Sequence, residues 1–127
     1  MLPYEERITK NKEEFFAKLQ EICAKLGIKP EWLMVCMCIE SAGTFDPSIV
    51  NPSTGATGLI QFMPSTAKSL GTTCGALAKL KNYEQLEYVY KYFRPWTGRM
   101  TSFVDVYLVI FYPAAVGKDD DYMFGMN

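Results

Sequence analysis

The sequence predicts a mainly α-helical fold organised around one buried helix that stops on a glutamate. Three observations carry this expectation. Apolar residues recur at spacings of three and four over long stretches, as the core-facing side of a helix requires. The segment from Pro30 to Glu40, Pro-Glu-Trp-Leu-Met-Val-Cys-Met-Cys-Ile-Glu, is apolar on nearly every side and so reads as central. Residues 43 to 64 then change character: Gly43, Gly55, Gly58, Pro47, Pro52 and Pro64 stand among Ser, Thr and Asn, which signals a structured loop or a short hairpin.

The elements follow in order. From about Glu5 to Leu26, the residues Phe15, Leu19, Ile22 and Leu26 form an amphipathic stripe, with Phe16 and Cys23 beside it. Gly27 supplies a stop, and Pro30 fits the first turn of the next helix. Pro64 can open a short helix through Leu70 that Gly71 ends, and a turn is expected near Cys74 and Gly75. Asn82 with Gln85 resembles a capping box, after which Leu86, Val89, Tyr90 and Phe93 give a helix to about Phe93. The Val and Ile content of residues 102 to 112 suits a strand, but the spacing from Ser102 to Asp105 resembles a helix cap, so a buried helix is expected.

Length and composition bound the function. A chain of 127 residues fits one domain, and 49% hydrophobic with 21% charged residues is globular rather than disordered. A formal charge of −1 gives no global field for nucleic acid, which is not expected as a partner. The longest apolar runs are about ten residues or fewer, half of what a membrane span needs. The N-terminus has no basic start, apolar stretch or small-residue cleavage site, so no signal peptide is read in this chain, and export, if it occurs, follows removal of a signal or another route.

The chain has no histidine, which excludes His-based triads and His-containing metal sites. Four cysteines occur, Cys23, Cys36, Cys38 and Cys74. Small buried hydrophobes are the leading reading, with disulfides or a four-thiolate zinc site as alternatives, although neither CxxC pair of a zinc ribbon is present. The run Asp119, Asp120 and Asp121 lacks the alternating spacing of a calcium loop and reads as a solvated terminus. No cofactor and no metal are expected.

Glu40 is the anomalous residue. It ends an apolar helix, where burial of part of its carboxyl disfavours the charged form and raises its pKa. A carboxylic acid still protonated near neutral pH can donate a proton to a glycosidic oxygen, which is the task of a glycosidase's general acid. Taken alone, Glu40 reads rather as a residue that caps the last turn at the surface.

Its context favours the chemistry. The 29 residues Ile39-Glu-Ser-Ala-Gly-Thr-Phe-Asp-Pro-Ser-Ile-Val-Asn-Pro-Ser-Thr-Gly-Ala-Thr-Gly-Leu-Ile-Gln-Phe-Met-Pro-Ser-Thr-Ala67 combine a Glu-Ser pair, an aromatic and a Pro soon after, Gly-Ala-x-Gly-Leu-x-Gln, and Met-Pro-x-Thr-Ala. This order resembles the catalytic region of soluble lytic transglycosylase (SLT) domains, relatives of goose-type lysozyme. The resemblance implies a single lysozyme-like domain over residues 1–127, acting as a monomer on bacterial peptidoglycan. Glu40 would be the acid that later acts as base, Ser41 would hydrogen-bond near its carboxyl, and Gly58, Leu59, Ile60 and Gln61 would line the glycan groove, with Ile60 where the family usually has Met.

The family's later Ala-Tyr-Asn-Ala-Gly motif has its nearest match in Phe111-Tyr112-Pro113-Ala114-Ala115-Val116-Gly117. Tyr112 would take the tyrosine's place beside the acid, but Pro113 replaces Asn and Ala115 replaces Gly. Phe45 and Phe62 read as core rather than sugar platforms. Asp46, before Pro47, reads as a turn residue, and Asp105 as a helix cap. With no convincing second acid, the lytic route fits better than hydrolysis. The expectation is cleavage between N-acetylmuramic acid and N-acetylglucosamine with 1,6-anhydro ends. A lysozyme-type hydrolase and a non-catalytic glycan-binding module of a phage tail or secretion assembly are the alternatives.

Overall fold

A computed structural model describes residues 1–117 of the chain and is mainly helical. Six α-helices follow one another: α1 Lys12–Leu26, α2 Pro30–Glu40, α3 Pro64–Ser69, α4 Cys74–Ala78, α5 Asn82–Phe93 and α6 Phe103–Phe111. Three single 3-10 turns, Glu5–Arg7, Arg94–Trp96 and Pro113–Ala115, punctuate them. The run Asp119 to Asp121 lies outside the described residues.

The ends of the helices obey local chemistry. Gly27 takes φ +73° at the end of α1, a left-handed conformation that costs glycine least. Pro30 and Pro64 occupy the first turns of α2 and α3, where a missing N–H is harmless. Ser102 accepts a hydrogen bond from the Asp105 N–H at 3.2 Å, so residues 103 to 111 form a helix despite their β-branched content.

One core joins all these pieces. Helix α1 places Phe15, Leu19, Ile22, Cys23 and Leu26 in it and packs chiefly against Leu86, Val89 and Phe93 of α5. Lys18 straps the two helices together at the rim through Glu87, 2.7 Å away. Helix α2 lies between α1 and α6. Phe45 and Phe62 are buried, as expected of core residues.

The structure departs from the sequence-based expectation at four places. The first helix begins at Lys12 rather than near Glu5, because Asn11 is left-handed at φ 51° and separates it from the 3-10 turn. The turn expected near Cys74 is the helix α4, capped by the Thr73 hydroxyl, which accepts from Ala76 N at 3.0 Å. The capping box is shifted by one residue: the Glu84 carboxylate accepts from Lys81 N at 2.8 Å, and Asn82 and Gln85 serve other partners. Helix α2 is not covered all round, since Ile39 is 51% exposed and Trp32, Val35 and Cys38 are partly so; only α1 and α6 pack on it extensively. Between α2 and α3 the chain forms the expected structured loop, which carries isolated bridges, Val50 to Thr57 and Thr57 to Phe62, among the described residues.

All four thiols are free. Cys23 and Cys36 are fully buried, and burial pushes both up to about 12, which makes them inert hydrophobes at neutral pH. Cys38 and Cys74 are half-buried, and the Cys74 thiol donates to the Phe62 carbonyl at 3.4 Å. No described helix is long and apolar enough to cross a membrane.

Candidate active site

Glu40 is the last residue of α2 and lies half-buried against the apolar end of that helix. Burial raises its pKa above the ordinary value of 4.5, and among the described residues no cation pairs with it. Burial thus biases the carboxyl toward its protonated form.

The turn after Glu40 is held from inside. The Ser41 hydroxyl donates to the Met37 carbonyl at 2.6 Å and accepts from Phe45 N at 2.9 Å. Ser41 is 0% exposed, so its hydroxyl is spent on fixing the backbone that carries the acid rather than on solvent or sugar. Ala42 and Phe45 both take positive φ, 55° and 51°, and Gln61 another at 59°. Three non-glycine residues in this sparsely populated region, all within the stretch from the acid to the Gly-Leu-Ile-Gln loop, mark a locally strained segment kept in place by its surroundings.

That loop is a tight turn from Thr57 to Phe62, closed by a reciprocal pair of backbone hydrogen bonds, Thr57 N to Phe62 O at 2.9 Å and Phe62 N to Thr57 O at 2.8 Å. Leu59 and Ile60 point into the core at 0% and 3% exposure. What the loop can offer a polymer is its backbone and Gln61, which is half-buried and donates its amide N–H groups to Gly58 O at 3.1 Å and Ile49 O at 3.4 Å.

The strut behind the loop is Gln85 of α5, which the sequence reading assigned only to a cap. Its side chain is fully buried: Oε1 accepts from Leu59 N at 2.7 Å, and Nε2 donates to Pro47 O and Leu77 O, each at 2.9 Å. One amide thus ties together the loop after Glu40, the Gly58 turn and the end of α4. Gly58 has φ +88°, and a Cβ there would collide with the Gln85 amide, so both conformation and space demand glycine.

A tyrosine does stand within electrostatic reach of the acid, and it is Tyr92 of α5. Burial, and after it the charge of Glu40, raises its pKa. Its hydroxyl donates to the Val109 carbonyl at 2.6 Å, and its ring packs edge-on against Phe62 and tilted against Trp96. Nothing in its helical spacing distinguishes Tyr92 from Tyr88 or Tyr90, and only the fold selects it. Tyr112 ends α6, half-buried, with its N–H on the Leu108 carbonyl at 2.7 Å.

The two other carboxylates considered as partners for Glu40 are engaged elsewhere. Asp46 accepts from the Ser48 N–H at 2.9 Å and the Ser48 hydroxyl at 2.7 Å, and these bonds hold it below the usual carboxylate range. Asp105, 9% exposed, accepts from Thr101 N at 2.8 Å and its hydroxyl at 3.1 Å, and from Gly117 N at 3.4 Å. A cavity of about 470 Å³ lies beyond residues 44 to 48, and Glu40 is not in its lining.

Comparison with known proteins adds one match. A family model described as the transglycosylase SLT domain matches residues 18–94, more than half of the chain. The matched span contains Glu40, the Gly58 to Gln61 turn, Gln85 and Tyr92, and stops before Tyr112. No curated protein and no solved structure matches.

Proposed function

The chain belongs to the transglycosylase SLT domain family, and from that membership we propose that it is a peptidoglycan lytic transglycosylase whose acid and base is Glu40. The protonated Glu40 delivers a proton to the oxygen linking N-acetylmuramic acid to N-acetylglucosamine, and the bond breaks toward an oxocarbenium-like centre. The carboxylate that remains then takes the proton of the sugar's own 6-hydroxyl as that oxygen closes on C1. The carboxyl ends the cycle protonated, as it began, and the product end is a 1,6-anhydro ring.

The observation that carries this reading is that, among the described residues, neither carboxylate weighed as a partner for Glu40 is free. A hydrolase of the two-carboxylate type needs a second acid to hold a water or form a covalent intermediate. Asp46 and Asp105 are occupied in a turn and a cap, and internal capture requires neither. In this account the Gly58 backbone and Gln61 contact the glycan, while Ser41, Leu59, Ile60 and Gln85 keep that surface in register with the acid. Tyr92 and Tyr112 are the phenols proposed to flank the reacting sugar.

The test is digestion of purified peptidoglycan by the wild type and by Glu40→Gln. Wild type should release anhydro-muropeptides and the variant none, with unchanged folding by circular dichroism. Equal release by both would remove Glu40 from the reaction.

A further inference from the structure

The cavity beyond the acid's loop has a chemistry of its own. Its lining includes Arg7, Lys10 and Lys81 against the single acid Asp46, in a protein whose formal net charge is −1. None of the three cations enters an ion pair among the described residues, where every salt bridge involves Lys18 or Lys25. Asp46 answers only part of their charge, being one carboxylate against three cations.

The fold ties together the backbone segments that carry these cations. Asn82, 6% exposed, donates from Nδ2 to the Lys10 carbonyl at 2.8 Å, which ties the backbone of Lys10 to the residue adjoining Lys81. Arg7 donates to the Gly43 carbonyl at 3.2 Å, three residues after Glu40. Three cations around one opening favour an arriving anion by charge complementarity. At about 470 Å³ the cavity is of the size that takes small ligands, and Phe45, Pro47 and Leu80 give it an apolar wall.

We propose that this cavity binds the carboxylate-bearing peptide that branches from each muramic acid residue, so that the enzyme reads stem peptide as well as glycan. The proposal rests on the peptidoglycan reading given above. The Arg7 to Gly43 bond joins the rim of this cavity to the turn that follows Glu40.

The experiment is calorimetric titration of the full chain with a free synthetic stem peptide, L-Ala-D-isoGlu-meso-diaminopimelate-D-Ala, at low salt. Saturable binding is expected, weakened at least about tenfold by the double substitution Lys10→Gln and Lys81→Gln and weakened likewise when the peptide's carboxylates are amidated. Asp46→Asn, which removes the opposing charge and keeps the turn's acceptor oxygen, should tighten binding; it keeps the test decisive if the double variant folds poorly. No saturable heat at millimolar peptide, equal affinity for the amidated peptide, weaker binding by Asp46→Asn, or full competition by equimolar acetate would overturn the proposal. Glycan cleavage is read separately by muropeptide release, so failure of peptide binding and failure of the transglycosylase reading give different results.

Discussion

The stretch from Glu40 to Phe62 and the stretch from Phe103 to Gly117 both carry aromatic and apolar residues, but they are built by opposite means. The first is fixed by polar bonds: Ser41 on the turn, the Thr57 to Phe62 closure, and the three hydrogen bonds of Gln85. Four of its large apolar side chains, Phe45, Leu59, Ile60 and Phe62, go inward, and Val50 is the exposed exception. The second is an apolar helix that leaves its outer face bare. Val104 and Phe111 are 57% and 65% exposed, and the rings of Phe103, Tyr107 and Phe111 stack along it at 6.2 and 5.6 Å. The contrast teaches where to look for chemistry: the first region carries a half-buried carboxyl on a backbone fixed from behind by Ser41 and Gln85, whereas the carboxylate of the second, Asp105, is spent on its own helix cap.

The largest effect should come from Glu40→Gln. It should lower turnover at least about a hundredfold, the range by which a positioned acid accelerates proton transfer. The same substitution should act on stability in the opposite sense. Burial disfavours the ionised carboxylate, so folding favours the protonated form; that stability is complete below the ordinary pKa of 4.5 and is lost as pH rises through the higher folded value. Since the glutamine never ionises, its Tm should exceed the wild type's at pH 7, and the gap should close below about pH 4.5. Turnover of the wild type should fall over the same rise in pH, since the reaction starts from the protonated acid.

Gln85→Ala comes next and tests whether polar struts define the first region. It orphans a buried N–H and two carbonyls, a loss of roughly 2–4 kcal/mol, or about 10 °C in Tm. A thermal shift of one or two degrees would mean that the loop holds itself. The comparison between regions is sharpened by two phenols. Tyr92→Phe should lower turnover about fivefold, the worth of roughly 1 kcal/mol, whereas Tyr112→Phe should matter less if its turn departs from the family pattern in function as well as in sequence. A larger effect at Tyr112 would move the weight of the site toward α6. Smallest of all, Asp46→Asn should leave turnover on peptide-free glycan strands within about a factor of two; a loss approaching that of Glu40→Gln would make Asp46 a general base.

Most of the fold was legible because it is local. Gly27, Pro30, Pro64 and Ser102 announce their helix ends through backbone rules that act within a few residues, and α5 shows its period plainly. Short helix α4 hid behind Gly75, since five residues carry no periodicity and Thr73 was the single cue. The family was legible through one contiguous motif from Ile39 to Ala67, and the match at residues 18–94 bears it out. Gln85 and Tyr92 were not. Gln85 reaches Leu59 across 26 residues and Pro47 across 38, and a hydrogen bond of that separation leaves no mark on spacing. The open side of α2 was hidden for a related reason: composition tells that a helix prefers burial, not how many neighbours are on hand to bury it.

The central claim is that Glu40 works without a second carboxylate, so that the sugar's own hydroxyl captures the cleaved end. Mass spectrometry of muropeptides released in heavy-oxygen water tests it most directly. The account predicts 1,6-anhydro ends, one water lighter than hydrolysed ends and carrying no solvent oxygen at the new terminus. Reducing ends that carry one heavy oxygen would contradict it and identify a hydrolase.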